Sequence, residues 1–404
     1  MIQLFKMAFR NLGRNRRRSL LSALAVSMGL ALLILMASVV TGEMRGALEN
    51  SIRLQSGHLQ IRSATYDEDK MTLDWKDLVA NPEKVIEQLR SLPQVTSATA
   101  RLFASGIVTL GEQSRGVQVV GIDPSSPANQ PFRSGLVGGN FLAPDDREGV
   151  LIGKPLADKL KMKVGDQINV LVNRSDGSVD QQLFTIRGIY TTGTVAFDEN
   201  TLFMPLSKAQ VFTGAQDHAS TILVFLQDRD QAEAVAQALT ASDYQVLTWR
   251  KMNEMIVQYE DFANAYMVIL YLIVLGITAT VVTNTLVMAV FERTREIGVL
   301  AAIGMKGRRI MLQFLAEAGL LATGGVIGGI ILGIIAYLYF NRHGFYIGNF
   351  GISGVLMSDT IYAYLTPQNL ISLAVVTYII TLVASLYPAI MAARLEPVEA
   401  LHAQ

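Results

Sequence analysis

The chain has 404 residues, 50% hydrophobic and 17% charged, and its 34 basic and 34 acidic side chains cancel to a net charge of zero. That balance is too apolar for an ordinary soluble enzyme of this length and calls for membrane segments; basic residues that flank apolar stretches argue against nucleic-acid binding. With no cysteine, the fold needs no disulfide and has no thiol for a lipid anchor. Residues 1–18 open with six basic residues and no acid. Ile2, Phe5, Phe9 and Leu12 fall on one helical face, and Lys6, Arg10, Arg14 and Arg17 on another. This pattern predicts a cytoplasmic amphipathic helix, with its apolar side in the acyl boundary and its basic side toward phosphates. Ser19–Gly42 follows with 24 uncharged positions. At roughly 1.5 Å per residue it can cross a hydrocarbon core of about 30 Å. It is too long for the apolar core of a signal peptide, and no clean A-x-A site follows it, so residues 19–42 read as the first span.

Residues 43–261 carry 21 basic and 28 acidic residues and have mixed α and β character. His58–Arg62 alternates like a strand, and Val117–Ile122, Gly149–Ile152, Gln167–Val172 and Leu183–Ile189 are strand-like. Pro82–Leu92, Lys154–Leu160 and Gln231–Thr240 read as helices, with Pro82 in a first turn. Ser175–Ser178 is a hairpin-turn candidate. The segment is long enough for a core of its own, expected as two subdomains, with the ends in one and an insertion near residues 100–220 in the other.

Three more spans are expected. Residues 262–291 are uncharged, residues 310–341 contain the single acid Glu317, and residues 369–391 form a helix introduced by Pro367. Between the second and third lies the loop 292–309, reading ERTREIGVLAAIGMKGRR. Its charged start, apolar middle (Ile297, Leu300, Ala301) and basic end predict a short helix lying at the membrane surface. Residues 1–18 and 292–309 hold eleven Lys and Arg between them. The positive-inside rule therefore places both in the cytoplasm, with 43–261 and the short loop 342–368 outside and the tail 392–404 inside.

No motif for intrinsic chemistry is present. There is no phosphate-binding loop, since Gly153–Lys154 is followed by Pro155. His58, His218, His343 and His402 are dispersed, which disfavours a metal site, and no nucleophile elbow occurs. Asp145–Asp146 and Asp228–Asp230 flank turn-like segments and read as solvated loops. Gly325, Gly329 and Gly333, with Gly324 and Gly328 beside them, put a smooth stripe on the third span. Such a stripe serves either packing within the chain or a dimer seam. Glu317, one or two turns into that span, suits a coupling or packing role, or snorkelling to the interface.

The segment Glu292–Arg309 resembles the cytoplasmic helix after the second span in permeases of the MacB, FtsX and LolC/LolE superfamily of ABC transporters. Tyr387–His402, YPAIMAARLEPVEALH, resembles the C-terminal signature of the same superfamily. VLIGKPLADKLKMKVGDQINVL and FTIRGIYTTGTVAFDENTLFMPLSKAQ resemble its periplasmic domain. The likeness implies a membrane α-helical protein with four transmembrane helices and a large mixed α/β extracytoplasmic domain between the first and second. It implies a multi-pass protein of the bacterial cytoplasmic (inner) membrane, paired with a second permease copy or paralogue and with an ATP-binding cassette ATPase dimer. ATP and Mg would bind in that ATPase, and no cofactor in this chain. The likeness places Glu292, Arg293, Arg295, Glu296 and Gly298 against the ATPase, with Gly298 and Gly304 allowing close approach or a turn. Lipoprotein release is the first functional expectation, with a periplasmic carrier or adaptor as a further partner. MacB-like efflux of an antibiotic, peptide or toxin, FtsX-like control of a cell-wall hydrolase, and a receptor without an ATPase are the alternatives.

Overall fold

The computed structural model describes residues 2–14, 16–67, 73–239, 244–348 and 356–396, with side chains for all of these except 2–6 and 14. The expected apolar face of Ile2 and Phe5, the Lys6 and Arg14 side chains, and His402 in the C-terminal signature therefore lie outside the described side chains. The chain forms two compact units. One comprises Met1–Met44, Tyr259–Phe345 and Ile361–Gln404; the other comprises Arg45–Gln258 and Tyr346–Thr360.

The first unit is helical, and six helices carry it or lead from it: α1 (Ile2–Arg14), α2 (Arg16–Ser51), α3 (Glu254–Glu292), α4 (Thr294–Ala302), α5 (Gly307–His343) and α6 (Pro367–Ala393). Among the described residues, α2, α3, α5 and α6 are long and apolar enough to cross a membrane. Each extends past the apolar stretch that marked it in the sequence, and in α2, α3 and α5 charged residues such as Arg45, Glu254 and Arg308 continue the helix beyond the apolar run. At the start of α6 the Thr366 side chain accepts from the Asn369 amide at 3.2 Å, and Pro367 occupies the first turn, where its missing N–H costs nothing.

The glycine stripe faces α2. A Cβ added at Gly325 would lie 2.6 Å from Val26 Cβ, one at Gly329 2.8 Å from Leu30 Cβ, and one at Gly333 2.7 Å from Ile34 Cδ1. Ser27 Oγ donates to the Gly325 carbonyl at 2.9 Å across the same contact. The spacing of four thus brings two helices of one chain to backbone distance. A second device joins α3 to α6. Pro388 lies inside α6 and cannot donate to the carbonyl of Ala384, one turn back. Thr283 Oγ1 of α3 donates to that carbonyl at 3.0 Å, satisfying a group that lipid could not.

The second unit is built on a ten-stranded sheet. Its strands are β1 (Leu59–Ser63), β2 (Val95–Leu110), β3 (Gln113–Ile122), β4 (Leu136–Gly139), β5 (Gly149–Gly153), β6 (Gln167–Asn173), β7 (Val179–Tyr190), β8 (Thr201–Pro205), β9 (Thr221–Leu226) and β10 (Tyr244–Thr248). Their order is β10-β1-β9-β2-β3-β8-β5-β7-β4, and β6 pairs with both β2 and β7. β1 and β10 come from opposite ends of the segment and pair directly, Leu59 opposite Thr248. The middle strands, expected as a separate subdomain, continue the same sheet through β2, whose sixteen residues pair with β9, β3 and β6. The sheet carries two apolar cores, and neither follows the expected division. Leu59, Ile152, Phe184 and Ile222 lie in a larger apolar cluster. Phe132, Tyr190, Phe197 and Phe203 lie in a smaller aromatic one, with the Phe132 and Phe203 rings 4.3 Å apart. The Ser175–Ser178 turn closes the β6–β7 hairpin, with Gly177 at φ +80° and the Ser178 amide donating to Asp176 Oδ1 at 2.9 Å.

Candidate coupling site

The loop between α3 and α5 is a single short helix with defined ends. α3 stops at Glu292; Arg293, at φ −111° and ψ 14°, breaks the helical path before α4 begins. α4 ends in a Schellman arrangement: the Gly304 amide donates to the Ala301 carbonyl at 3.0 Å, and the Met305 amide to the Leu300 carbonyl at 3.0 Å. Gly304 sits at φ +93°, which a residue with a Cβ rarely adopts. Ile297 packs inward with Val290, Ile310, Phe314, Ala389 and Ala392. That cluster ties α4 to α3, α5 and α6.

The outer face is of mixed character. Glu292, Arg295, Glu296 and Gly304 are exposed, as are Val299 (47%) and Ile303 (75%). Residues 295, 299 and 303 are four apart and share one face of α4. Val299 and Ile303 thus stand uncovered among charges on that face. Glu292 also pairs with Arg18 at the start of α2.

Arg293 and Gly298 depart from that outer set. Gly298 is buried. Arg293 is 5% exposed and turns into the bundle, where its Nη1 lies 3.0 and 3.1 Å from the two carboxylate oxygens of Glu317. Asn11 of α1 completes the group: its Nδ2 donates to Glu317 Oε1 at 2.6 Å, and its carbonyl accepts from Arg293 Nη2 at 3.3 Å. Among the described residues Arg293 Nε has no partner. Arg293 therefore belongs to an internal pin rather than to the surface proposed to meet the ATPase. The physical reason is Glu317: a carboxylate buried to 4% exposure needs a cation and donors, and Arg293 emerges at the helix break nearest to it. Glu317 does not snorkel.

In the α/β unit the structure assembles polar knots at the ends of the segment. Asn50 Nδ2 donates to Ser358 Oγ at 2.8 Å, and Ser51 Oγ pairs with Asn253 Oδ1. Arg101 is wholly buried, its Nη1 donating to the Leu54 carbonyl while Nε and Nη2 have no partner among the described residues; burial pulls its pKa down to about 10. Asp198 accepts from Thr191 Oγ1, the Thr192 amide and Thr192 Oγ1 at 2.9, 2.8 and 2.7 Å. Burial outweighs these donors and raises its pKa, with the negative charge of Asp359 adding to the shift.

Comparison with known families decides the kinship. Residues 19–242 match the MacB-like periplasmic core domain, and residues 268–397 match the FtsX-like permease C-terminal region. The chain is an ABC-transporter permease of the MacB, FtsX and LolC/LolE superfamily. The permease is 26% identical to the lipoprotein-releasing system transmembrane protein LolE of Haemophilus influenzae, over 94% of this chain and 93% of that one. It is 24% identical to LolC of Neisseria meningitidis serogroup B, over 95% and 93%. The macrolide export ATP-binding/permease protein MacB of Campylobacter jejuni is 26% identical over 98% of the permease, which spans 61% of that longer chain. Asn11, Asn50, Arg101, Asp198 and Asn253 carried no sequence signal. The one trace is that the A-T-A-R-L-F-A run of β2 places Thr99, Arg101 and Phe103 on one face of an alternating strand.

Proposed function

We propose that the permease transmits the motion of a separate ATP-binding cassette ATPase across the membrane to its α/β unit, and that it does so for lipoprotein release. The observation that carries the transmission reading is α4. Its outer face offers Arg295, Glu296, Val299 and Ile303 to a partner, while its inner face is packed and its leading end is pinned by Arg293 to Glu317. Such a helix receives a push without rolling. Lipoprotein release is the cargo reading that LolE and LolC support, at 26% and 24% identity over 94% and 95% of this chain, and drug export is the alternative that the MacB relative supports. Under this reading α1, α4 and the C-terminal tail are cytoplasmic, and the α/β unit, with its aromatic cluster, handles cargo outside.

The test is the double substitution Arg295→Ala with Glu296→Ala, assayed for stimulation of the co-expressed ATPase by lipoprotein in proteoliposomes and for release of that lipoprotein. Loss of both, with unchanged thermal unfolding of the permease, supports the reading. Undiminished ATP-driven release rejects α4 as the input. If ATPase coupling is lost but the wild-type complex ignores lipoprotein and responds to a peptide or macrolide, the transmission reading stands and the cargo reading falls.

A further inference from the structure

Between α5 and α6 lies an apolar groove of about 490 Å³. Leu312, Leu315 and Gly319 form one wall, and Leu382, Val383 and Leu386 the other. It is separate from the glycine stripe, which faces α2, and from α4. Leu312 and Leu386 are each 39% exposed and Val383 58%, so the groove opens outward. Along α5 it runs from Leu312 to Thr323. At roughly 1.5 Å per residue that is about 16 Å, half of a hydrocarbon core of about 30 Å. A membrane helix from a second copy would run the full thickness; an acyl chain of one leaflet would not.

One end of the groove is basic. The α5 start and the α6 end converge there, since a Cβ added at Gly307 would lie 2.7 Å from the Ala393 carbonyl oxygen. Arg308 sits four residues before Leu312 on the groove face of α5, with Arg309 beside it, and Arg394, which caps the end of α6, lies eight residues beyond Leu386. All three are exposed, and none makes an ion pair among the described residues. Basic pockets between membrane helices recognise anionic lipid headgroups.

We propose that this groove binds an anionic glycerophospholipid, with one acyl chain between α5 and α6 and the phosphate held by Arg308, Arg309 and Arg394. The site lies in the leaflet next to α4 and does not depend on the cargo or coupling reading. The test is native mass spectrometry of the full-length chain titrated with phosphatidylglycerol or with phosphatidylcholine of the same acyl chains. The wild type is expected to retain phosphatidylglycerol at least about tenfold more tightly. The triple substitution Arg308→Gln, Arg309→Gln, Arg394→Gln is expected to weaken phosphatidylglycerol about a hundredfold and to abolish the preference. Gly319→Leu, where an added Cβ meets only ordinary contacts at 3.6 Å from Tyr378 and 3.8 Å from Leu382, is expected to fill the groove and displace both lipids. Equal retention of the two lipids by the wild type, or unchanged retention in either variant, overturns the proposal. So does near-complete disulfide cross-linking between copies carrying Val383→Cys, which would mark the groove as a protein seam; the chain has no native cysteine to confuse that result.

Discussion

Replacing Glu317 with glutamine keeps the shape of the side chain and removes its charge. Arg293 would then remain 5% exposed, with Nε already unpartnered and Nη1 facing a neutral amide. Breaking a buried ion pair from one side costs about 3–5 kcal/mol, because the other charge is left uncompensated. Arg293→Met strands the carboxylate with a single donor, Asn11 Nδ2 at 2.6 Å, and falls in the same range. The combination Glu317→Gln with Arg293→Met buries no charge and leaves Asn11 an amide oxygen to donate to. Its remaining cost is the Asn11 carbonyl and the glutamine amide left without their partners, about 1–3 kcal/mol. The double variant should therefore be less damaged than either single one, giving a coupling energy of at least about 3 kcal/mol. Reversible unfolding of the full-length chain in mixed micelles, followed by far-ultraviolet circular dichroism, measures all four corners of the cycle. Additive losses would refute the account of Arg293, Glu317 and Asn11 as one buried unit.

Other consequences follow from single contacts. Gly329→Leu drives a side chain into Leu30 and should cost about 1–3 kcal/mol in the same unfolding assay, whereas Gly324→Leu, with nothing within 4 Å of an added Cβ, should be close to neutral. Thr283→Val leaves the Ala384 carbonyl without a donor and should cost about 1 kcal/mol; Pro388→Ala restores the intrahelical N–H and should make the same threonine change harmless. Asp198 holds its proton more tightly folded than unfolded, so its own contribution to the stability of the α/β unit is fully present below the ordinary carboxylate range and is lost as pH rises through the raised value. Hydrogen exchange of residues 191–200 across that range should show the slope in the wild type and a flatter profile in Asp198→Asn.

Much of the fold was legible because lipid and pleat leave simple periodicities. The four apolar runs became α2, α3, α5 and α6, and the Val- and Ile-rich runs became β3, β5, β6 and β7 within a few residues. β2 was not read, since its alternation is carried by Ala, Thr and Ser, whose hydrophobic contrast is weak. The glycine stripe announced a close contact but not its partner; only the structure shows Val26, Leu30 and Ile34 opposite it. Glu317 was legible as an anomaly, an acid inside an apolar run. Its partners were not, because Arg293 is 24 residues away and Asn11 is 306 away, and nothing local selects either. Composition likewise could not separate Arg293 from Arg295. Two positions at the start of a helix turn one arginine into the bundle and leave the other outside.

The same separation gives the transmission reading its mechanical content. A helix that merely rests on a membrane yields to a push by rotating about its own axis. For α4 that rotation would drag Ile297 out of its contacts with Ile310, Phe314 and Ala389. It would also twist Arg293, one residue ahead of the helix, off Glu317 and Asn11. Both losses are steep, the first because packed apolar interiors resist small displacements and the second because a buried charge has no alternative partner. Force on Arg295, Glu296, Val299 or Ile303 is then carried by the ends of α3, α5 and α6 and by α1 as one block. The compliance that lets such a block move belongs away from α4. Within α6 the natural place is Pro388, where the helix already lacks one of its own hydrogen bonds and borrows Thr283 from α3 instead.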